Sequence, residues 1–178
     1  MTASTSQADP FERGDARVLI VEGHGALAVD LRWIHEVCPL VNIRPLPQAP
    51  VWLRGLFDFH GQLLPVVDAG VMLGGAPVQQ CVGARILLLH GPMSDEPGAP
   101  KATYGLLVDS VEGLLQVDRA DAWTARDGLP GLPFLRDVVN QDTEPLLLLD
   151  AARMSSMHAS LLEGPAMLAT VTDASGRA

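Results

Sequence analysis

The sequence is poor in aromatic residues and in positive charge. Aromatic side chains make up 4% of the 178 residues, and 12 Lys+Arg stand against 21 Asp+Glu, which gives a formal net charge of −9. Few aromatic residues leave little material for base-stacking platforms, and an acidic surface disfavours binding to phosphate backbones. These absences argue against nucleic acid and anionic membranes as partners.

Long hydrophobic runs are also missing, and cysteine is scarce. The longest uninterrupted apolar runs span four to five residues, as in 18–21, 86–89 and 145–149, whereas a membrane span needs about 20. The N-terminus contains neither the basic segment nor the apolar segment of a secretory signal. Cys38 and Cys81 lie far apart and match no metal-ligand spacing. We therefore expect a cytoplasmic protein with reduced thiols, no metal and no direct membrane insertion.

Hydrophobic residues, glycine and proline are abundant by contrast. Hydrophobic residues make up 48% of the chain, which also holds 17 glycines and 14 prolines. Short apolar runs alternate with turn-forming segments, a pattern typical of mainly β barrels and sandwiches. We expect a flexible leader (1–16), a globular part (17–163) and a flexible tail (164–178). About ten strands are predicted, at 17–22, 26–30, 40–44, 52–59, 62–67, 84–90, 104–109, 114–117, 138–140 and 145–149.

Two helical segments and two connections complete this prediction. Residues 31–37 should form a helical turn or two, and residues 151–162 should form a C-terminal helix. A hairpin should join the first two strands across residues 23–25. The longest loop should be 91–103, which contains three prolines.

An aspartate ends an apolar run at four places, Asp30, Asp68, Asp109 and Asp150. An aspartate carboxylate accepts hydrogen bonds from the unpaired N–H groups of a first helical turn, so each is predicted to cap a short helix after a strand. The segment from Asp109 to Glu112 also fits a capping box. The alternative, an acidic metal site, requires these aspartates to converge, and no glycine-rich metal loop surrounds any of them.

The sequence contains one cluster with catalytic potential. The five histidines show no metal-ligand pairing, and the chain has neither a glycine-rich phosphate loop nor a nucleophile elbow. Asp58, His60 and Asp68 lie near one predicted turn, and a histidine beside a carboxylate can act as a general base. Because no nucleophile lies near them in the sequence, a small hydrolase that uses these three residues is only an alternative interpretation.

A distinctive motif runs from Leu46 to Gly74. A proline-bracketed approach leads to a glycine, then to a turn at a second glycine and then to an apolar run that ends in aspartate; the residues are Pro47, Pro50, Gly55, Gly61 and Pro65-Val66-Val67-Asp68. This stretch resembles the central segment of CheW-type coupling proteins of bacterial chemosensory arrays. The segments 28–37, 105–111 and 145–154 resemble further motifs of that family in the same order, so the resemblance covers 17–162.

The resemblance implies a fold and two partners. The fold is a mainly β, CheW-like arrangement of two small five-stranded SH3-like barrels that share a core, with short helices after strands. Proteins of this kind are expected to have no enzymatic activity and no cofactor. They bind the regulatory domain of the histidine kinase CheA and the cytoplasmic tip of methyl-accepting chemoreceptors, whose helix docks in an apolar groove between the lobes.

Carried onto this sequence, the resemblance also implies site residues. The candidate receptor-binding residues are Ile34, Glu36, Val37, Asp58 and His60, and the candidate turn and cap residues are Gly55, Gly61, Asp68 and Asp109. For Ile34 and Val37 the spacing alone fits plain core packing as well. Glu36 is expected at the charged rim, because glutamate is rarely buried.

The turn departs from the family pattern. Asp58-Phe59-His60-Gly61 replaces Asn-Leu-Arg-Gly, which exchanges an amide for a carboxylate and a permanent cation for an imidazole. Ala69 stands in place of a usual leucine, and Asp137 in place of a usual glycine. These changes indicate a divergent member, which could serve surface sensing or pilus motility instead of flagellar chemotaxis. A stand-alone regulator that binds another signalling protein is the second interpretation.

Overall fold

The computed structural model describes residues 16–23, 25–90, 104–117, 122–124, 134–139, 145–151 and 153–154. Strands dominate this part of the chain, together with a short α-helix, α1 (Ala69–Met72), and a 3-10 turn at Leu31–Trp33. The strands are β1 (Ala16–Gly23), β2 (Gly25–Asp30), β3 (Ile34–Pro39), β4 (Leu53–Phe59), β5 (Gln62–Asp68), β6 (Arg85–Leu89), β7 (Tyr104–Val108), β8 (Ser110–Val117), β9 (Ala122–Thr124), β10 (Leu135–Val139) and β11 (Leu146–Leu149).

The strands form two sheets of similar design. Sheet I has five strands in the order β3-β6-β7-β5-β4, and sheet II has six in the order β8-β1-β2-β11-β10-β9. Each sheet contains a parallel pair, β5 with β7 in sheet I and β2 with β11 in sheet II, and the other pairs are antiparallel. The parallel pair joins an antiparallel triplet (β3-β6-β7) to an antiparallel pair (β5-β4) in sheet I, and it joins two antiparallel triplets (β8-β1-β2 and β11-β10-β9) in sheet II.

Sheet I curls until its two edge strands meet. Beyond β3, Arg44 forms an isolated β-bridge with Leu56 of β4, with N···O distances of 2.7 and 2.8 Å. The rings of His35 on β3 and Phe59 on β4 lie 6.1 Å apart between centroids. In sheet II, β9 follows β8 along the chain and pairs with β10, as Arg44 follows β3 and pairs with β4. With β8 and β9 taken as one interrupted strand, the two units are five-stranded, which confirms the predicted fold class.

A core shared by the two sheets holds them together. Strands β5, β6 and β7 contribute to it from sheet I, and β2, β10 and β11 contribute to it from sheet II. The opposite face of sheet I encloses a second, inner core, so β6 and β7 are buried on both faces and read as continuous apolar runs. The shared core comprises Leu27, Val29, Val67, Ala69, Leu87, Leu89, Tyr104, Leu106, Val108, Phe134, Leu135, Leu149 and Met154. The inner core comprises Cys38, Phe57, Leu64, Val66, Val78, Ala84, Ile86, Leu88 and Leu107.

Tyr104 adds a hydrogen bond to this packing. Its side chain is fully buried at the start of β7, and its hydroxyl donates to the carbonyl oxygen of Ala151 at 3.1 Å. Burial, and secondarily the negative charge of Asp150, raise the pKa of the phenol, so it stays a neutral donor at physiological pH. The bond ties β7 of sheet I to the segment that follows β11 of sheet II.

Two segments predicted to be helical are strands instead. The structure replaces the helix expected over 31–37 by the 3-10 turn and β3, which pairs with β6 and buries Cys38 in the inner core. The capping box at Asp109 is also wrong, because β8 begins at Ser110 and pairs with β1. In both places, pairing with a neighbouring strand outweighs a local helical pattern.

The remaining expectations concern the ends and the loops. The hairpin across 23–25 is present, since Gly23 pairs with Gly25. Residues 40–44 form no strand apart from the bridge at Arg44. The predicted C-terminal helix is helical at Ala151, Arg153 and Met154. Four predicted segments lie outside the described residues: 1–15 of the leader, the loop 91–103, the end of the helix (155–162) and the tail 164–178.

Candidate partner-binding site

Strand β3 contains a β-bulge at the candidate residues. Ile34 pairs with Leu89 and Glu36 pairs with Leu88, so His35 is an extra residue between two consecutive partners on β6. A bulge redirects the side chains around it. Ile34 accordingly packs against the shared core, whereas Glu36 lies opposite a residue of the inner core.

Val37 lies at the rim of the shared core. It pairs with Leu87 of β6, a fully buried member of that core, and so belongs to the same face of sheet I. Nevertheless, 40% of Val37 is exposed. Ile34, earlier on the strand, is partly buried against the same core. The two side chains give β3 an apolar border beside the contact between the sheets, and Val37 leaves part of that border open.

Glu36 lies between Ile34 and Val37 along β3 but belongs to the opposite face of the strand, the one it shares with Cys38. It is exposed, and its Oε1 accepts a hydrogen bond from Sγ of Cys38 at 3.6 Å. Burial of the thiol, and secondarily the negative charge of Glu36, raise the pKa of Cys38. The thiol therefore stays protonated and unreactive at neutral pH. The edge strand therefore carries apolar side chains on one face and an exposed acid on the other.

The side chain of Asp58 stabilises the turn between β4 and β5. Oδ1 of Asp58 accepts a hydrogen bond from the backbone N–H of Gly61 at 2.7 Å. His60 and Gly61 have φ values of 52° and 86°, both in the left-handed region. Glycine adopts this region without strain, whereas His60 does so at some cost. The side chains of Asp58 and His60 are both exposed.

Ring contacts bring β3 and the turn to the same end of sheet I. The centroid of Phe59 lies 6.1 Å from that of His35 and 4.4 Å from that of His60. The five candidate residues thus form two neighbouring groups that His35 and Phe59 connect. The sequence did not single out these two connecting residues, because neither a bulge nor a contact between edge strands produces a periodic signal.

Comparison with known proteins identifies the family. Residues 17–158 match the CheW-like domain. The chain belongs to the CheW-like domain family. The chemotaxis protein CheW of Treponema pallidum is 20% identical over 141 residues, which cover 75% of this chain and 78% of the relative. The chemotaxis protein CheW of Rhizobium meliloti is 26% identical over 99 residues, or 56% of this chain and 59% of the relative.

A solved structure shares the fold of this CheW-like domain. The crystal structure of scaffolding protein TtCheW from Thermoanaerobacter tengcongensis matches with a TM-score of 0.64 and 18% sequence identity. The match covers 75% of this chain and 88% of that protein. At such low identity the likeness is one of architecture, and it agrees with the two-sheet arrangement described above.

Gly55 allows the closure of sheet I in this CheW-like domain. Its φ is 140°, a value that residues with a side chain rarely adopt. A Cβ atom at this position would overlap the carbonyl oxygen of Arg44 and would lie 2.7 Å from the carbonyl carbon. Because Arg44 forms the bridge to Leu56 on the next residue of β4, the bridge requires glycine here.

Asp68 is a buried structural residue. Its carboxylate is fully buried and accepts hydrogen bonds from the backbone N–H of Val71 at 3.1 Å and of Val78 at 3.1 and 3.2 Å. Nε of Arg54 lies 3.5 Å from Oδ2. Asp68 thus caps α1, fixes the segment that precedes β6 and balances the charge of Arg54.

The other three aspartates have different roles. Asp30 caps the 3-10 turn, and Asp150 accepts a hydrogen bond from the N–H of Arg153 at 3.0 Å where the helical residues begin. Asp109 caps no helix. Its Oδ1 accepts from the N–H of Gln79 at 3.4 Å, which tethers the loop between α1 and β6 to the end of β7.

The structure contradicts the hydrolase alternative. Asp58 pairs with Leu63 near the turn, and Asp68 lies at the far end of β5. The five residue steps from Leu63 to Asp68 span roughly 16 Å at about 3.3 Å per residue. Asp68 is moreover buried and engaged by backbone N–H groups. Asp58, His60 and Asp68 therefore do not converge into one site.

Within the described ranges, no group of three or more His, Cys, Asp or Glu side chains is arranged to hold a metal ion. The same part of the chain contains no helix that is long and apolar enough to cross a membrane.

Ala69, which stands where the resemblance has leucine, is fully buried in the shared core at the start of α1.

Proposed function

We propose that this chain is a non-enzymatic adaptor that couples chemoreceptors to a CheA-type histidine kinase in a bacterial chemosensory pathway. The observation that carries the proposal is the match of residues 17–158 to the CheW-like domain. The relatives named chemotaxis protein CheW and the structural neighbour named a scaffolding protein support it. An adaptor acts by holding partners together, so it needs binding surfaces and no catalytic group.

We infer that the receptor tip docks along β3 and the adjoining turn. The apolar border of Ile34 and Val37 can receive the apolar face of an amphipathic helix, and Glu36, exposed on the other face of the same edge strand, can contact the polar flank of that helix. Asp58 and His60 would meet the polar side of the same helix, since ring contacts hold the turn near β3. The tip of such a receptor is cytoplasmic, so the adaptor is proposed to act in the cytoplasm.

The second proposed partner is the regulatory domain of the cognate kinase. Purified full-length chain titrated with that domain in a calorimeter should bind with a Kd of about 10 µM or tighter. No binding at protein concentrations of tens of micromolar would contradict the proposal.

The second candidate function is a stand-alone regulator that binds another signalling protein. The acidic turn at Asp58 and His60 favours this candidate, and a chain that binds the kinase domain but no receptor tip would support it.

Val37→Asp should weaken receptor binding strongly. The new carboxylate would remove an apolar contact and would have to lose water at the rim of the shared core, so we expect a loss of affinity of at least tenfold. The measurement is a titration with a soluble fragment of the receptor tip. Val82→Asp is the matched control, because Val82 is 96% exposed in a loop outside the site. An equal loss in both variants, or in neither, would place the receptor elsewhere.

His60→Arg should strengthen receptor binding. It restores the permanent cation that the family resemblance implies at the turn, and a guanidinium can bind a carboxylate with two hydrogen bonds. We expect an increase in affinity of about threefold to tenfold. His60→Lys restores the charge without the planar fork and should give a smaller gain. If neither variant changes the affinity, the substitution at position 60 does not explain the divergence of this turn.

A further inference from the structure

Three histidines and one phenylalanine form a chain of ring contacts at the end of sheet I. His35, His60 and His90 are the histidines whose side chains lie in the described part of the chain. The ring of Phe59 contacts those of His35 and His60, with centroids 6.1 and 4.4 Å apart. His35 and His90 contact each other directly, with ring centroids 5.3 Å apart and ring planes inclined by 63°. The cluster therefore contains one imidazole pair and one more distant imidazole.

The backbone sets up this pair. His35 is the extra residue of the β3 bulge, and His90 directly follows β6, where its N–H donates to the carbonyl oxygen of Trp33 at 2.8 Å. Bulges often redirect a side chain at functional sites. Both imidazoles are half-buried, so they are held in place by their surroundings while solvent and small ions can still reach them.

The ring nitrogens of the pair are available as ligands. Among the described residues, no group donates to or accepts from a ring nitrogen of His35 or His90, and no carboxylate pairs with either ring. Partly buried imidazoles usually find such partners. Two imidazoles that share a tetrahedral ion at metal–nitrogen distances of about 2.0–2.1 Å have ring centroids roughly 5 Å apart. The observed separation of 5.3 Å agrees with that requirement.

We propose that His35 and His90 together bind one divalent transition-metal ion of the kind that prefers imidazole, such as Zn²⁺ or Cu²⁺. The ion has two protein ligands, and water completes its coordination. With half the ligands of a structural zinc site, the affinity is far lower than in a zinc finger, and the binding is reversible.

Such an ion has a structural consequence for the adaptor. His35 lies in an edge strand and His90 at the end of the central strand β6, so a shared ion ties the bulge of β3 to its neighbour. Val37 and Ile34 lie on the same edge strand. The inference does not depend on the receptor or the kinase, because the site uses residues of this chain alone.

The test is calorimetric titration of the full-length chain with zinc chloride, with any affinity tag removed. We expect one zinc ion per chain with a Kd of about 10–100 µM. His35→Gln and His90→Gln should each weaken binding at least tenfold. His60→Gln is the matched control, since the ring of His60 contacts Phe59 and takes no part in the contact between His35 and His90, and this variant should bind zinc like the unmodified chain.

Three results would overturn the proposal: no binding at about 1 mM zinc, unchanged binding in both glutamine variants, which would indicate an adventitious ion only, or an equal loss in His60→Gln. NMR spectra of the unmodified chain keep the test decisive if a variant fails to fold. Zinc should shift the ring-nitrogen resonances of His35 and His90 and leave those of His60 in place. Shifts confined to other histidines would contradict the site.

Discussion

Gly55→Ala should lower the free energy of unfolding by about 3 kcal/mol or more. The added methyl group would overlap the carbonyl oxygen of Arg44, and alanine rarely adopts a φ of 140°. Relief of the overlap requires Arg44 to move away from β4, which breaks the two hydrogen bonds of its bridge to Leu56. Urea unfolding followed by circular dichroism measures the change.

Gly61→Ala is the matched control for this prediction. Gly61 also has a positive φ, of 86°, but a Cβ atom there would have no neighbour within 4 Å. Only backbone strain remains, so the cost should be about 1 kcal/mol. If the two alanine variants were equally stable, the close approach of Arg44 to β4 would not be what requires glycine at position 55.

Asp68→Ala should be similarly damaging, at about 3 kcal/mol. The substitution leaves the N–H groups of Val71 and Val78 without their acceptor and leaves the guanidinium of Arg54 without its partner. The carboxylate is fully buried, so water cannot easily replace it. Unfolding in urea measures the loss, and hydrogen exchange at Val71 and Val78 should accelerate first.

Asp150→Ala is the matched control for Asp68→Ala, because it removes a capping carboxylate that is not fully buried. Asp150 also accepts a backbone N–H, that of Arg153 at 3.0 Å, but its side chain is 19% exposed and its ion pair with Arg153 lies partly in solvent. Loss of such a cap should cost about 1 kcal/mol. Equal losses in Asp68→Ala and Asp150→Ala would mean that the buried network around Asp68 contributes nothing beyond the cap.

Local chemistry made several features of the fold predictable. Glycine pairs and the aspartates after apolar runs marked the hairpin at 23–25 and the caps at Asp30 and Asp68. Each of these features depends on residues close together in the chain, so their sequence signals are strong. The family resemblance supplied what such signals cannot, the number of units and the core that they share.

The failures arise where distant partners decide the structure. Leu31, Ile34 and Val37 recur at helical spacing, yet their segment becomes an edge strand, because β6 offers a buried partner and the hydrogen bonds of a ladder. The residues after Asp109 fit a capping box in the same way but pair with β1, a strand from the start of the chain. Helix propensity depends on residues within about one turn of each other, whereas the pairings of β3 with β6 and of β8 with β1 join segments far apart in sequence.

The candidate site was only partly predictable for the same reason. The resemblance pointed to residues on β3 and on the β4–β5 turn, but the bulge that splits Ile34 from Glu36 and the ring contacts through Phe59 depend on the curling of sheet I. The hydrolase alternative shows the opposite error. Asp58 and Asp68 are close in sequence, yet the hairpin places Asp58 on β4 near the turn and Asp68 at the end of β5 far from the turn.

The central claim is that this chain couples a chemoreceptor to a kinase, and reconstitution tests it most directly. The measurement is the autophosphorylation rate of the cognate CheA-type kinase with receptor-containing membranes, in the presence and absence of the full-length chain. We expect the receptor to change the kinase rate at least tenfold only when the chain is present, and Val37→Asp to abolish that dependence. A receptor that controls the kinase equally well without the chain, or not at all with it, would contradict the claim.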